Sequence, residues 1–143
     1  MVKFTEEMKQ AAEHTPVFVL ATASRDGKPN GVPIGLAKII SDDEILIVDN
    51  FLNKTRHNIA ENPWVAISYW SARTHGNGYQ LKGKARVETS GTIFEETLEW
   101  LKSKRPPPPH QPKAVVIVKV EEIYHIGARH DTDVNLADYP ENL

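Results

Sequence analysis

The chain contains no cysteine. Disulfides, thiol nucleophiles and thiolate-held metal or iron–sulfur centres are therefore excluded. It also lacks any apolar run near the roughly 20 residues of a membrane span, and its opening Met-Val-Lys-Phe-Thr-Glu-Glu holds no apolar signal core, so a cytoplasmic protein is expected. Nor is there an excess of charge: a formal net charge of −2 argues against general electrostatic binding of nucleic acid or membrane, and any charged ligand must be met locally. The six histidines stand in no HExxH or serine-triad context, so neither His57 nor His75 is read as catalytic, and there is no internal repeat.

What is present is a globular composition, 40% apolar and 25% charged over 143 residues, the size of one domain. Residues 5–13 read as an amphipathic lid helix capped by Thr5. Six strands follow: Val17–Ser24, Pro29–Ile40, Glu44–Val48, Trp64–Trp70, Tyr79–Val87 and Ala114–Val120. Arg25-Asp26-Gly27-Lys28 makes the first hairpin turn and Ser41-Asp42-Asp43 the second. Pro33, which has no N–H, places the second strand at an edge or bulge, and Gly31 and Gly35 leave its backbone open to a flat ligand. Thr92 and Glu95 have capping-box spacing for a helix to about Ser103, expected to cover one end of a barrel. The run Arg105 to Pro112 reads as an extended, proline-rich linker, and the stretch after Tyr124 as a mobile tail with a weak His/Asp metal signal. The order implies a mainly β, antiparallel, six-stranded split barrel with two to three short helices: one domain over 1–143, its core at 15–125, a loop at 105–112 and a tail at 126–143.

One junction carries chemistry. Directly after Ile45, Leu46, Ile47 and Val48 comes Asn-Phe-Leu-Asn-Lys-Thr-Arg-His, a polar turn opening a short helix. With Asn53 as N-cap, the free amides of the first turn, the Lys54 cation and the Thr55 hydroxyl would converge on a phosphate. Asn53 could equally cap an ordinary surface helix, with Lys54 merely solvated.

Asp26-Gly27-Lys28-Pro29, Lys54-Thr55 followed by Asn58-Ile59-Ala60 and Asn62-Pro63, and Gln80 to Ala85 with Gly83, in this order and spacing, resemble the pyridoxamine 5'-phosphate oxidase-like FMN-binding split barrels over residues 15–125. The resemblance implies that Lys54 and Thr55 hold the FMN phosphate, that Pro33, Ile34 and Gly35 lie beside the isoalloxazine ring, and that Val48, Asp49 and Asn50 lie between ring and phosphate. Gln80 matches a family glutamine only with a small shift. It also implies a homodimer with the flavin between subunits, for which Trp64, Trp70, Tyr79 and Trp100 offer aromatic surface, and a small-molecule or protein redox partner. The stretch Gly31 to Leu36 lacks the basic residues of the oxidase proper, and no arginine-bearing substrate segment follows Tyr124 as in that enzyme. The implied function is a flavin-dependent reductase or electron-transfer protein that is not a pyridoxine-phosphate oxidase. A barrel using deazaflavin F420 or haem is the alternative within the fold. A cofactor-free binding module presenting Lys82, Lys84 and Arg86 is the alternative outside it.

Overall fold

Alternating burial in β1 (Phe18–Ala23), β5 (Trp64–Trp70) and β6 (Gly78–Glu88) and unbroken apolar runs in β4 (Glu44–Asp49) and β7 (Ala114–Ile126) make strands, together with β2 (Pro29–Ile34) and β3 (Ala37–Ile39), in the computed structural model, which describes residues 3–50, 52–71 and 77–138. Among the described residues three helices join them, α1 (Glu6–Glu13), α2 (Asn53–Glu61) and α3 (Thr92–Ser103), with a 3-10 turn at Leu136–Asp138. All strands form one antiparallel sheet in the order β2-β1-β5-β6-β7-β4-β3. No described helix is long and apolar enough to cross a membrane.

β2 and β3 are opposite edges of this sheet, yet only Gly35 and Leu36 separate them along the chain. So short a connection spans at most about 11 Å, so the sheet must curl until its edges face each other across a seam. The expected long second strand is thus two strands, and the count rises from six to seven within the expected fold class. Val48 N–H donates to Leu36 O at 3.0 Å, fastening the crossover to β4.

The barrel interior is filled from alternate faces: Leu20, Ile45, Ile47, Ile67, Leu81, Val116, Val118 and Ile123 are all at 0% exposure. Phe4, Met8 and Leu136 join this cluster, so the packed core reaches beyond residues 15–125. Phe18, Tyr69 and Tyr79 form a tilted aromatic ladder with centroids 5.3 and 5.6 Å apart. The Tyr69 hydroxyl donates to Met8 O at 3.2 Å, which satisfies the phenol and pins α1 to the barrel. Burial pushes the Tyr69 phenol far above its ordinary pKa, so it stays a donor.

Strand β7 is buried on both faces from Ala114 to Val118, as its β-branched run implies. Its outer face, with Leu46, Val48 and Leu101, packs Ile93, Phe94 and Trp100 of α3. That helix therefore covers the barrel's flank, not its end. It begins at Gly91 with no side-chain cap, so Thr92 and Glu95 do not make a capping box. Thr92 is already the first helical residue. By contrast, Thr5 does cap α1, its Oγ1 accepting from Met8 N at 3.2 Å.

The stretch after Tyr124, read as a mobile tail, instead continues β7 to Ile126 and folds back. Asn135 Oδ1 accepts from Ile123 N at 3.0 Å, and Leu136 is 5% exposed in the core. No cluster of metal-ligating side chains occurs among the described residues.

Candidate functional site

Strand β4 carries its last residue, Asp49, to the barrel rim, and the chain turns there into α2. Asp49 is only 1% exposed, and its Oδ1 accepts from Leu52 N at 2.9 Å while its carbonyl accepts from Lys113 N at 2.9 Å. Asp49 therefore shapes the turn that Asn53 was expected to cap. The N-cap is Leu52, without a side-chain bond, and Asn53 is the first helical residue with its side chain free for the solvent side.

From that turn, the first helical turn faces the start of β2. Lys54 and Asn53 line a pocket of about 460 Å³ with Lys28, Asn30 and His57. Thr55 lies behind this surface at 1% exposure, and its Oγ1 accepts from Asn30 Nδ2 at 3.4 Å, tying α2 to β2. Its hydroxyl proton remains available to an acceptor. Asn58 is buried one turn further on and donates to Thr22 Oγ1 at 3.0 Å, a second tie to the barrel.

Two acceptors beside this turn are unsatisfied. Asp49 Oδ2 and Asn50 Oδ1 are buried without a hydrogen-bond donor among the described residues. The Arg56 guanidinium lies 3.5 Å from Asp49 Oδ2, which compensates charge without completing a hydrogen bond. An orphaned buried acceptor costs about 1–3 kcal/mol, so such atoms are rare except where a ligand or partner supplies the donor.

The other expected residues are Pro33, Ile34, Gly35 and Val48. Pro33 on the free edge of β2 and Gly35 just after it are exposed, whereas Ile34 is 3% exposed and packs in the core. A Cβ at Gly31 or Gly35 would meet nothing within 4 Å. Val48 is buried at 5% against α3 and is joined to the same edge through Leu36 O. Of the eight expected residues only Lys54 lines the pocket between β2 and α2; Gly35 lines a separate cavity, and the segments 33–35 and 48–50 are joined through the Val48 N–H bond to Leu36 O. Ile34 and Val48 can contribute backbone there, since their side chains belong to the two cores. Phe51 and His75 lie outside the described residues.

Sequence reading missed Lys28, Asn30 and His57 as pocket residues. Lys28 was visible in the Asp-Gly-Lys-Pro turn, and His57 stands three residues after Lys54 on one helix face. Asn30 had no such signal, because its role depends on strand pairing. His57 is exposed and also sits 3.3 Å from Glu61. Gln80 is engaged elsewhere, with Nε2 3.5 Å from Ser68 Oγ. Of the cations on the alternative partner-binding face, Lys82 lies over Tyr124, Lys84 over Trp64, and Arg86 pairs with Glu44 and Glu88.

Residues 4–127 match the family model described as pyridoxamine 5'-phosphate oxidase. An uncharacterised protein of Methanocaldococcus jannaschii is 38% identical over 92% of this chain and 86% of its own length. Among solved structures, HupZ of Group A Streptococcus superposes with a TM-score of 0.78 at 27% identity, covering 90% of this chain and 98% of that one. An FMN-binding protein from Syntrophomonas wolfei shares the fold at a TM-score of 0.72 and 17% identity, covering 87% of each chain. The match spans the strands, the seam and the polar turn together, and the chain belongs to the pyridoxamine 5'-phosphate oxidase-like family of split-barrel proteins.

Proposed function

We propose that the protein is an FMN-binding flavoprotein, a flavin-dependent reductase or electron carrier working as a cytoplasmic homodimer, and not a pyridoxine-phosphate oxidase. The observation that carries this reading is the pocket between β2 and α2, where Lys28 and Lys54 flank Asn30 and Asn53 beside two orphaned buried acceptors. Lys54 and Lys28 at the pocket surface would hold a phosphate dianion, with the buried Thr55 hydroxyl behind them. Asp49 and Asn50 offer acceptors that a flavin's imide or ribityl donors would satisfy. The open edge at Gly31, Pro33 and Gly35 admits a flat ring without steric conflict.

Bound flavin would supply hydride and single-electron chemistry. The chain's part is to bind the phosphate, orient the ring along β2 and keep water from the buried acceptors. Trp64 and Trp70, 43% and 41% exposed on the outer face of β5, are available to a second subunit, whereas Tyr79 is buried in the core. The family resemblance and the FMN-binding neighbour support the choice of FMN, with deazaflavin F420 as the rival ligand.

Titration with FMN, riboflavin and FAD tests the reading. FMN is expected to bind more tightly than riboflavin or FAD and to raise the melting temperature, because it binds the folded state. Equal affinity for riboflavin and FMN would remove the phosphate site, and a clean monomer holding stoichiometric FMN would remove the shared one. Dithionite should reduce the loaded protein, and pyridoxamine phosphate should yield no pyridoxal phosphate at catalytic protein levels.

A further inference from the structure

The barrel's seam encloses a second cavity, of about 580 Å³, between α1, the Gly35–Leu36 crossover, β3 and the end of α3. This volume is in the range of small-molecule sites. Its position follows from the topology. Because β2 and β3 are edges that never pair, the space between them is left unfilled by sheet and is roofed by helices instead.

The chemistry of its lining is unusual. Lys38 from β3 and Lys104 from the end of α3 both reach the Trp100 indole, with their ammonium nitrogens 4.3 and 4.5 Å from the ring centroid. Two cations on one ring repel each other. Neither has a carboxylate within ion-pair distance among the described residues, whereas Lys9 at the same cavity is paired with Glu6 at 3.5 Å. Burial pushes the Lys38 ammonium below the ordinary lysine pKa, Glu96 opposes this and Lys104 reinforces it. The two carboxylates that do line the cavity, Glu13 and Asp42, are exposed residues. Phe18 and Ile39 line the cavity from the barrel's inner cluster, and Leu36 lines it from the same cluster as Trp100.

We propose that this seam cavity binds a small organic carboxylate, its apolar body against Phe18, Ile39 and Trp100 and its charge met jointly by Lys38 and Lys104. An anion placed between the two ammoniums replaces their mutual repulsion by two charge-assisted contacts, which a neutral ligand cannot do. The inference does not rest on flavin binding: neither Lys38 nor Lys104 belongs to the β2–α2 pocket, and of the residues assigned to the flavin only Gly35 also borders this cavity.

The test is isothermal titration of the full chain with 1-naphthoate and with 1-naphthylmethanol, which share a ring and differ in charge. Naphthoate is expected to bind once per chain, about tenfold or more tighter than the alcohol, and to weaken with added salt. Lys38→Gln with Lys104→Gln should cost about tenfold or more in naphthoate affinity while leaving the alcohol and FMN isotherms unchanged. If the double variant does not fold, Lys104→Gln alone carries the same test with a loss of about threefold or more. Equal binding of the two probes, no binding of naphthoate, or full naphthoate affinity in the variant would overturn the proposal. Displacement of naphthoate by FMN would overturn it as a site separate from the cofactor pocket. Failure of FMN to bind, by itself, would count against the proposed flavin function and leave this cavity's result standing.

Discussion

The wall made by β4, β6 and β7 and the edge made by β2 with α2 use the same antiparallel pairing and end in opposite conditions. In the wall, Ala114 to Val118 are at 0% exposure, helix α3 seals the outer face, and the backbones pack so closely that Gly83 has no room for a side chain. Along the edge, Gly31 and Gly35 face open space, Pro33 has no N–H to offer, and buried acceptors at the turn stand unpartnered. Stability is thus concentrated in one half of the barrel. The half left open is the one that can take a ligand, since a site must keep unmet contacts until its ligand arrives.

Changes on the two sides should therefore read out differently. The largest effect is expected for Gly83→Ala. Its Cβ would lie 2.0 Å from Lys119 O at the β-bulge between β6 and β7, so backbone must move. A loss of about 4 kcal/mol in urea unfolding is expected, against a change within about 0.5 kcal/mol for Gly31→Ala on the open edge. Similar losses for the two would abolish the contrast.

Next comes Lys54→Ala, which should weaken FMN by about 1–3 kcal/mol in titration and leave the unfolding midpoint of the FMN-free protein unmoved. A shift in that midpoint as large as the affinity loss would make Lys54 a structural residue of the edge. In the wall, Ile117→Val removes one methylene at 0% exposure between the sheet and α3. It should cost about 1 kcal/mol of stability by urea unfolding with no change in FMN affinity.

The smallest effect concerns the rim of the wall, where Lys119 Nζ lies 2.9 Å from Asp43 Oδ2. The hydrogen bond from Lys119 holds the Asp43 carboxyl below its ordinary 3.8. A lowered folded-state value contributes stability above pH 3.8 that is lost as pH falls through the folded value. Because the pair is solvent-screened, Asp43→Asn should remove only a few tenths of a kcal/mol at neutral pH and flatten the acid limb of the stability curve. A steeper acid limb in the variant would reverse the assignment.

Much of this was legible beforehand where one segment decides its own structure. The alternation in Tyr79 to Val87 placed β6 and its inner face, and the β-branched run from Ala114 placed β7 in a doubly buried position. Pro33 correctly put β2 at an edge. The Thr5 cap held, because its bond to Met8 N closes within one turn. Errors arose where an element's end is set by something distant. Asn53 lost the capping role to Asp49, whose carboxylate accepts from Leu52 N and whose backbone is fixed by β4 and by Lys113 N–H, from the far side of the proline-rich loop, on its carbonyl. Gly91 displaced Thr92, and the expected tail was captured by the core through Leu136.

The sequence by itself determined the strands, the helices, the absence of sulfur chemistry and the polar turn with its Lys-Thr pair, since each depends on period, propensity or residue type within a short window. Only the tertiary structure decided that the second strand breaks at Gly35–Leu36 to link opposite sheet edges, that α3 seals a flank, and that Lys28 and Asn30 join Lys54 in one pocket. It also decided that Lys38 and Lys104, far apart in the chain, converge on one indole beside the seam. The reason is physical: local preferences act over a few residues, whereas curling the sheet is a property of all seven strands at once, and the two cavities exist only where that closure leaves edges unpaired or ends uncovered.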